Sequence, residues 1–263
     1  MGSSLAVGGW RANLAALGAL IARATNELVR VPGAIIPGVL APTIFFLGIN
    51  GVFGNLTQLT GFTTDSYASF LIPASMMQAA GFTGAAAGVN LARDVEQGRL
   101  DRLLVTPTPR WVLLASTVLA ASARSLVPAT FVLCVALAIG AHFPGLDGLA
   151  IAYAMVAGMA VVAACWASML ALRFKTQSAS PLMQAGMLAL IFLTPAYAPI
   201  ELLQGWLQTV AEVNPVTEVL EAARQGFLGG LTWADTWPGI VAVVGMAALL
   251  GALALREMRR TAA

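Results

Sequence analysis

Apolar and polar positions alternate in blocks along this chain. Long unbroken apolar runs are separated by short polar segments. Outer-membrane strands read as brief stretches of alternating hydropathy, whereas continuous runs of about 20 residues have the length a helix needs to cross a bilayer. Six such runs are read, at about 34–54, 67–91, 114–141, 149–172, 181–198 and 238–255. Pro37 and Pro42 fall inside the first, which membrane helices tolerate better than soluble ones. The second carries Gly84-Ala-Ala-Ala-Gly88, a small-xxx-small pattern that lets another helix approach closely.

Two apolar segments lack the character of spans. Between 10 and 31, Trp10, Leu14, Leu17, Ile21, Ala24 and Leu28 share one helical face, and Arg11, Arg23, Asn26, Glu27 and Arg30 avoid it. That separation predicts an amphipathic helix lying in the membrane interface; a membrane-adsorbed tail is the other reading. Between about 200 and 230 the helical spacing of Trp206, Leu207 and Val210 is broken at Asn214-Pro215. It resumes at Val219, Leu220, Ala223 and Phe227 and stops at Gly229-Gly230. Two short re-entrant helices dipping into the outer leaflet are expected, with tryptophans at the interface.

The longest polar interruption is Arg93–Arg110, RDVEQGRLDRLLVTPTPR. From Asp94 to Leu104 it has the pattern of a short amphipathic helix, with Val95, Leu100, Leu103 and Leu104 as its apolar positions. Thr106-Pro107-Thr108-Pro109 then stops it, because proline lacks an N–H and disfavours helix in the residue before it. A charged helix slung between two spans faces water, where a soluble partner can grip it.

Composition agrees. Of 263 residues, 59% are hydrophobic and only 10% charged, against about 25% charged in soluble domains, and the mean hydropathy is +0.82. The reading is an all-α integral membrane protein with six transmembrane helices. Arg11, Arg23, Arg30, Arg93, Arg99, Arg102, Arg110, Arg173, Lys175, Arg256, Arg259 and Arg260 all fall on one side of that topology. The positive-inside rule makes it the cytoplasmic side, with both termini inside. No cleavable signal is expected, since Met1–Ser4 is uncharged and the first arginine is Arg11. Arg124 depends on its span: a start near Ser122 lets it snorkel to the cytoplasmic surface, and one near Leu113 buries it about halfway, where an ionisable group is a functional candidate. His142 reads as a loop residue. Cys134 and Cys165 lie in apolar runs and suggest neither a disulfide nor a metal site.

The sequence holds no G-x-x-x-x-G-K-[ST] phosphate loop, no histidine pair and no cysteine cluster. Nor do the spans carry the acid or histidine relays of proton-coupled carriers. A conduit of this kind has to borrow its energy. The run Asp94-x-Glu96-x-Gly98-x-Leu100-x-x-Leu103-Leu104-Val105-Thr106-Pro107 resembles the signature of ABC type-2 permeases, the membrane subunits of ATP-binding-cassette exporters. Arg99 stands where that family commonly has threonine, and Asp101 where it has glutamate. The likeness continues in Arg30-Val-Pro32, in Phe70-Leu-Ile-Pro73 and in Pro199…Trp206-Leu207…Asn214-Pro215…Arg224, covering nearly the whole chain. The drug- and antibiotic-resistance exporters are the branch it looks most like.

The resemblance implies a permease moving a hydrophobic or amphiphilic substrate, such as a drug, antibiotic, lipid or glycolipid, out of the cytoplasm or inner leaflet. It implies two copies of a separate ATPase subunit that binds the ATP and Mg, and a second permease chain, identical or paralogous. The permease itself carries no catalytic site, metal or cofactor. Asp94, Glu96, Gly98, Arg99, Leu100, Asp101, Arg102, Leu103, Leu104 and Pro107 are the expected ATPase-docking or coupling residues. Arg23, Glu27 and Arg30 belong to the interfacial helix. Phe45, Phe46, Phe192 and Tyr197 are candidates for the substrate path, and Trp206, Asn214, Pro215 and Arg224 for a re-entrant gate. A membrane-embedded lipid-modifying enzyme or a self-contained secondary transporter is the alternative. The first needs a polar catalytic cluster at one membrane face, and the second needs repeat symmetry with mid-membrane charges.

Overall fold

A computed structural model describes residues 36–55, 65–100 and 109–261. Helices are the only regular elements among these residues, with no strand. The elements are α1 (Ile36–Phe53), α2 (Tyr67–Glu96), α3 (Arg110–Ala138), α4 (Gly145–Phe174), α5 (Ser180–Phe192), α6 (Gly205–Val213), α7 (Pro215–Arg224) and α8 (Trp233–Thr261). Among the described residues, three stretches are long and apolar enough to cross a membrane: Arg110–Ala138, Gly145–Phe174 and Trp233–Arg260. The apolar helix Gly38–Phe53 is shorter. The predicted interfacial segment, with Arg23, Glu27 and Arg30, lies outside the described residues.

α2 is the centre of the bundle. It packs most extensively against α4 and touches α1, α3, α5 and α7 as well. Every residue from Tyr67 to Gly81 is buried. Its apolar character is diluted by Ser69, Ser75, Gln78 and Thr83, which is permissible because the helix is enclosed by protein and does not face lipid. Lipid tails are as apolar as leucine, so helices in a bilayer associate through close packing and hydrogen bonds. α2 and α4 use both glycines of the predicted motif: a Cβ on Gly84 would meet the Ala160 carbonyl oxygen at 2.7 Å, and one on Gly88 would overlap Ala167. The pairing advances in the same direction along both helices, so they are parallel.

The buried apolar residues form two clusters stacked along α2. One gathers Tyr67, Phe70, Leu71 and Met76 with Phe46, Ile191, Val219 and Phe227. The other gathers Leu91, Leu100, Leu114, Leu172, Met183 and Met258.

Helix ends depart from the apolar runs. α2 continues past 91 to Glu96, and α8 extends from Trp233 to Thr261. A helix satisfies its own backbone hydrogen bonds, so nothing obliges it to stop where the apolar run does. The segment 181–198 is helical only as far as Phe192. α3 begins at Arg110, which sets Arg124 roughly 21 Å along the axis at about 1.5 Å per residue. Arg124 is half-buried, and its Nε donates to the Ala120 carbonyl at 3.2 Å.

Candidate functional site

α2 carries a polar station at each end. At its C-terminal end the expected amphipathic helix from Asp94 is corrected: Asp94, Val95 and Glu96 are the last turn of α2 itself. Gln97 and Gly98 then turn the chain, with Gly98 at φ +65°, where a glycine is unstrained. Their N–H groups cap the helix by donating to the Arg93 and Val95 carbonyls, each at 3.0 Å. Helical structure resumes at Arg99 and Leu100, and Leu100 is buried in the second cluster. Asp101, Arg102, Leu103, Leu104 and Pro107 lie outside the described residues.

Glu96 is engaged within the chain. Its Oε1 accepts from the Gln177 backbone N–H at 2.8 Å, and its Oε2 from the Gln177 side-chain amide at 2.6 Å. The other end of that amide accepts from Arg93 Nε at 3.2 Å. Gln177 reaches this place because α4 ends at Lys175 in a left-handed conformation, φ 56°, a rare one for a residue with a side chain. Thr176 is extended behind it and caps the following 3-10 turn by accepting from the Ser178 N–H. The two bonds from Gln177 hold the Glu96 carboxyl below the usual carboxylate range. Asp94 and Arg99 form an exposed pair at 3.4 Å, which by its exposure contributes little to stability. Nothing local marked Gln177 in the sequence, since its significance depends on where the α4–α5 turn lands.

The station at the N-terminal end is built around Arg224, which is 1% exposed. Asn214 caps α7 by accepting from the Val216 N–H at 3.0 Å, and Pro215 occupies the first helical position, where its missing N–H costs nothing. The Asn214 amide also donates to the Leu190 and Leu193 carbonyls at 2.9 and 3.0 Å, stitching α7 to the end of α5. Arg224, in the last turn of α7, spends its guanidinium on four acceptors. Nε donates to the Phe70 carbonyl at 3.2 Å and Nη1 to Glu221 Oε1 at 2.6 Å. Nη2 donates to the Pro195 and Ala196 carbonyls at 2.8 and 3.3 Å. Beside it the Tyr67 hydroxyl donates to the Tyr197 carbonyl at 2.7 Å. Three successive carbonyls of an irregular segment are thus satisfied by side chains, which is how non-helical backbone is accommodated away from water.

Of the predicted gate residues, Asn214, Pro215 and Arg224 therefore form one assembly. Trp206 is 63% exposed and stands apart from it. Phe192 and Tyr197 meet with ring centroids 5.0 Å apart. Phe46 is fully buried, so it lines no open path in this conformation, while Phe45 is exposed. Tyr67, Phe70, Glu221 and Gln225 complete the station; of these the sequence singles out only Phe70, within the Phe70-Leu-Ile-Pro73 likeness. The Gln225 amide nitrogen donates to Thr236 Oγ1 at 2.6 Å, and its oxygen accepts from the Thr232 N–H at 2.8 Å, tying α7 to the start of α8. Among the described residues no group of acids, histidines and cysteines could hold a metal ion.

Comparison with known proteins places these features in a family. The family model described as ABC-2 type transporter matches residues 15–228. The daunorubicin resistance ABC transporter permease protein DrrB1 of Streptomyces coeruleorubidus is 24% identical over 90% of this chain and 83% of its own length. DrrC of Mycobacterium tuberculosis, named for doxorubicin resistance, is 28% identical over 80% of this chain and 75% of its own. A transport permease of Cyanophora paradoxa, ycf38, is 27% identical over 78% and 71%.

Proposed function

Because the chain belongs to the ABC-2 type transporter family, a multi-pass membrane permease without an ATPase site of its own, we propose that it couples a cytoplasmic ATPase to export through α2. One observation carries this reading. α2 is a single unbroken helix with Glu96 and Arg93 at one end and the Arg224 assembly at the other. Motion imposed on the hub is transmitted along about 40 Å of helix, at about 1.5 Å per residue, to the irregular segment around Pro195.

In this reading the chain has six spans, comprising α1 to α5 and α8. The segment 10–31 is an interfacial helix, the hub a cytoplasmic coupling helix, and α6–α7 the re-entrant pair before the last span. Both termini face the cytoplasm of a bacterial plasma membrane, as the arginine distribution favours. Two ATPase subunits bind ATP and Mg and engage the hub through Arg99, Asp101, Arg102, Leu103 and Leu104, with a second permease chain, identical or paralogous, completing the exporter. Glu96 belongs on the inner side of that contact, since Gln177 occupies both of its oxygens. The cargo is hydrophobic or amphiphilic. The names of DrrB1 and DrrC support a drug or antibiotic, and a lipid or glycolipid shares the same chemistry.

The test is co-purification in mild detergent. A Walker-motif ATPase should accompany the wild-type chain and be lost with Leu103→Asp. If none accompanies the wild type, the alternative of a self-contained carrier or lipid enzyme takes over. If the ATPase binds Leu103→Asp equally well, the hub is not the grip.

A further inference from the structure

The last helix ends in a feature that export does not use. Val241, Val244, Ala248 and Ala252 are exposed along α8, at the three- and four-residue spacing that makes one continuous stripe, with Leu249 exposed beside it. The stripe leads to Arg256 and Arg259, both exposed. There a cavity of about 440 Å³ is lined by Ala252, Leu255, Arg256, Arg259 and Arg260. Glu257, pointing elsewhere, takes Arg260 at 3.2 Å and Arg173 at 4.0 Å. Among the described residues no acid pairs with Arg256 or Arg259.

We propose that Arg256 and Arg259 bind the phosphate of an anionic phospholipid whose acyl chain lies along the Val241–Ala252 stripe. The dimensions suit this occupant. From Trp233 to Arg256 α8 rises roughly 35 Å at about 1.5 Å per residue, slightly more than the ~30 Å of hydrocarbon in a bilayer. With Trp233 and Trp237 at one interface, the two guanidinium groups stand at the headgroup level of the other. Guanidinium groups match a phosphate through paired N–H donors, and the apolar wall of Ala252 and Leu255 continues into the acyl region. The carbonyl end of a helix opposes an anion with about half an elementary charge. Two full charges outweigh it, and Arg110 Nη1 approaches the Arg259 carbonyl at 3.5 Å. An acidic protein surface would answer the charges but leave the apolar stripe unmatched.

Native mass spectrometry of the full chain in mild detergent tests this, with phosphatidylglycerol or phosphatidylcholine of equal chain length as the probe. The wild type should retain phosphatidylglycerol roughly thirtyfold over phosphatidylcholine, the order expected of two arginines near an anionic headgroup. Arg256→Gln/Arg259→Gln should lose that preference while keeping the helical circular dichroism, and Arg256→Lys/Arg259→Lys should keep most of it. If the double glutamine variant loses its helical signal, each single glutamine variant is measured instead and should lower the preference about fivefold. Undiminished preference in the folded glutamine variants overturns the proposal. So does displacement of phosphatidylglycerol by excess inorganic phosphate, which marks a site for soluble anions. Loss of a co-purifying protein with lipid selectivity unchanged assigns the arginines to a protein partner and overturns it as well.

Discussion

The Arg224 guanidinium lies 3.9 Å from the centroid of the Phe70 ring while its Nε donates to the Phe70 carbonyl. One side chain of α7 therefore reads both the face and the backbone of a single residue in α2. A cation over an aromatic face gains more when water is excluded, and here the guanidinium is buried. The same group also holds the irregular backbone after α5, so three elements meet at one charge.

Removing that charge should be costly. Arg224→Leu leaves the Pro195 and Ala196 carbonyls without their donor and Glu221 without its partner. A loss of about 1–3 kcal/mol for each buried carbonyl left without a donor is expected, with little added by Glu221, whose side chain is 44% exposed. Arg224→Lys should recover only part, since an ammonium cannot span four acceptors in a planar fork. Thermal unfolding in lipid-detergent micelles measures this, and a leucine variant as stable as the wild type would show that the network is decorative.

A second expectation separates packing glycines from exposed ones. Gly84→Ala puts a methyl group against the Ala160 carbonyl and Ala163 in α4, whereas Gly48→Ala in α1 meets nothing within 4 Å. The first should destabilise by about 1–3 kcal/mol through overpacking. The second should be neutral or stabilising by up to about 1 kcal/mol, because it removes backbone freedom from the unfolded chain. Parallel melts of the two variants decide it.

Much of this was readable in the sequence because it is local. The apolar runs announce the helices, Asn214-Pro215 announces the break between α6 and α7, and Gly84 and Gly88 announce a close helix contact. What escaped is set by distance along the chain. Arg224 reads only as a gate candidate until Phe70, 154 residues away, is brought to it. Glu96 reads as a docking charge until Gln177 arrives from 81 residues away. One helix running from Asp94 fails at Gly98 for a different reason. The apolar spacing of Val95 and Leu100 runs through Gly98, and spacing alone does not register that a glycine with positive φ has ended the helix between them.

The Glu96 clasp should respond to pH in one direction. Its carboxyl is held below the ordinary 4.5 by the two Gln177 donors, so the charged form is favoured in the folded chain. Its contribution is therefore fully present above that ordinary value and is lost as pH falls through the lowered one. Hydrogen exchange of the Gln177 N–H, corrected for its intrinsic rate, should show constant protection from neutral pH down to mildly acidic conditions and weakening only below. Glu96→Gln should flatten that dependence. Protection lost already near neutral pH would contradict the assignment.

Gln177 also offers a way to separate gripping the ATPase from transmitting its motion. Its bonds to Glu96 and Arg93 are exposed, so water competes for every one of them, suiting a joint that opens and closes over one that anchors the fold. Gln177→Leu removes the side-chain bonds without touching Arg99, Leu100 or the hub beyond them. In a reconstituted complex of permease and ATPase, this variant should keep co-purification and thermal stability close to wild type. Transport per ATP hydrolysed should fall roughly tenfold, the effect of losing about 1.4 kcal/mol of coupling. Gln177→Glu should do the same or worse, because it sets a second carboxylate against Glu96. Equal transport per ATP in wild type and Gln177→Leu would mean that the α4–α5 turn rests against the end of α2 without driving it.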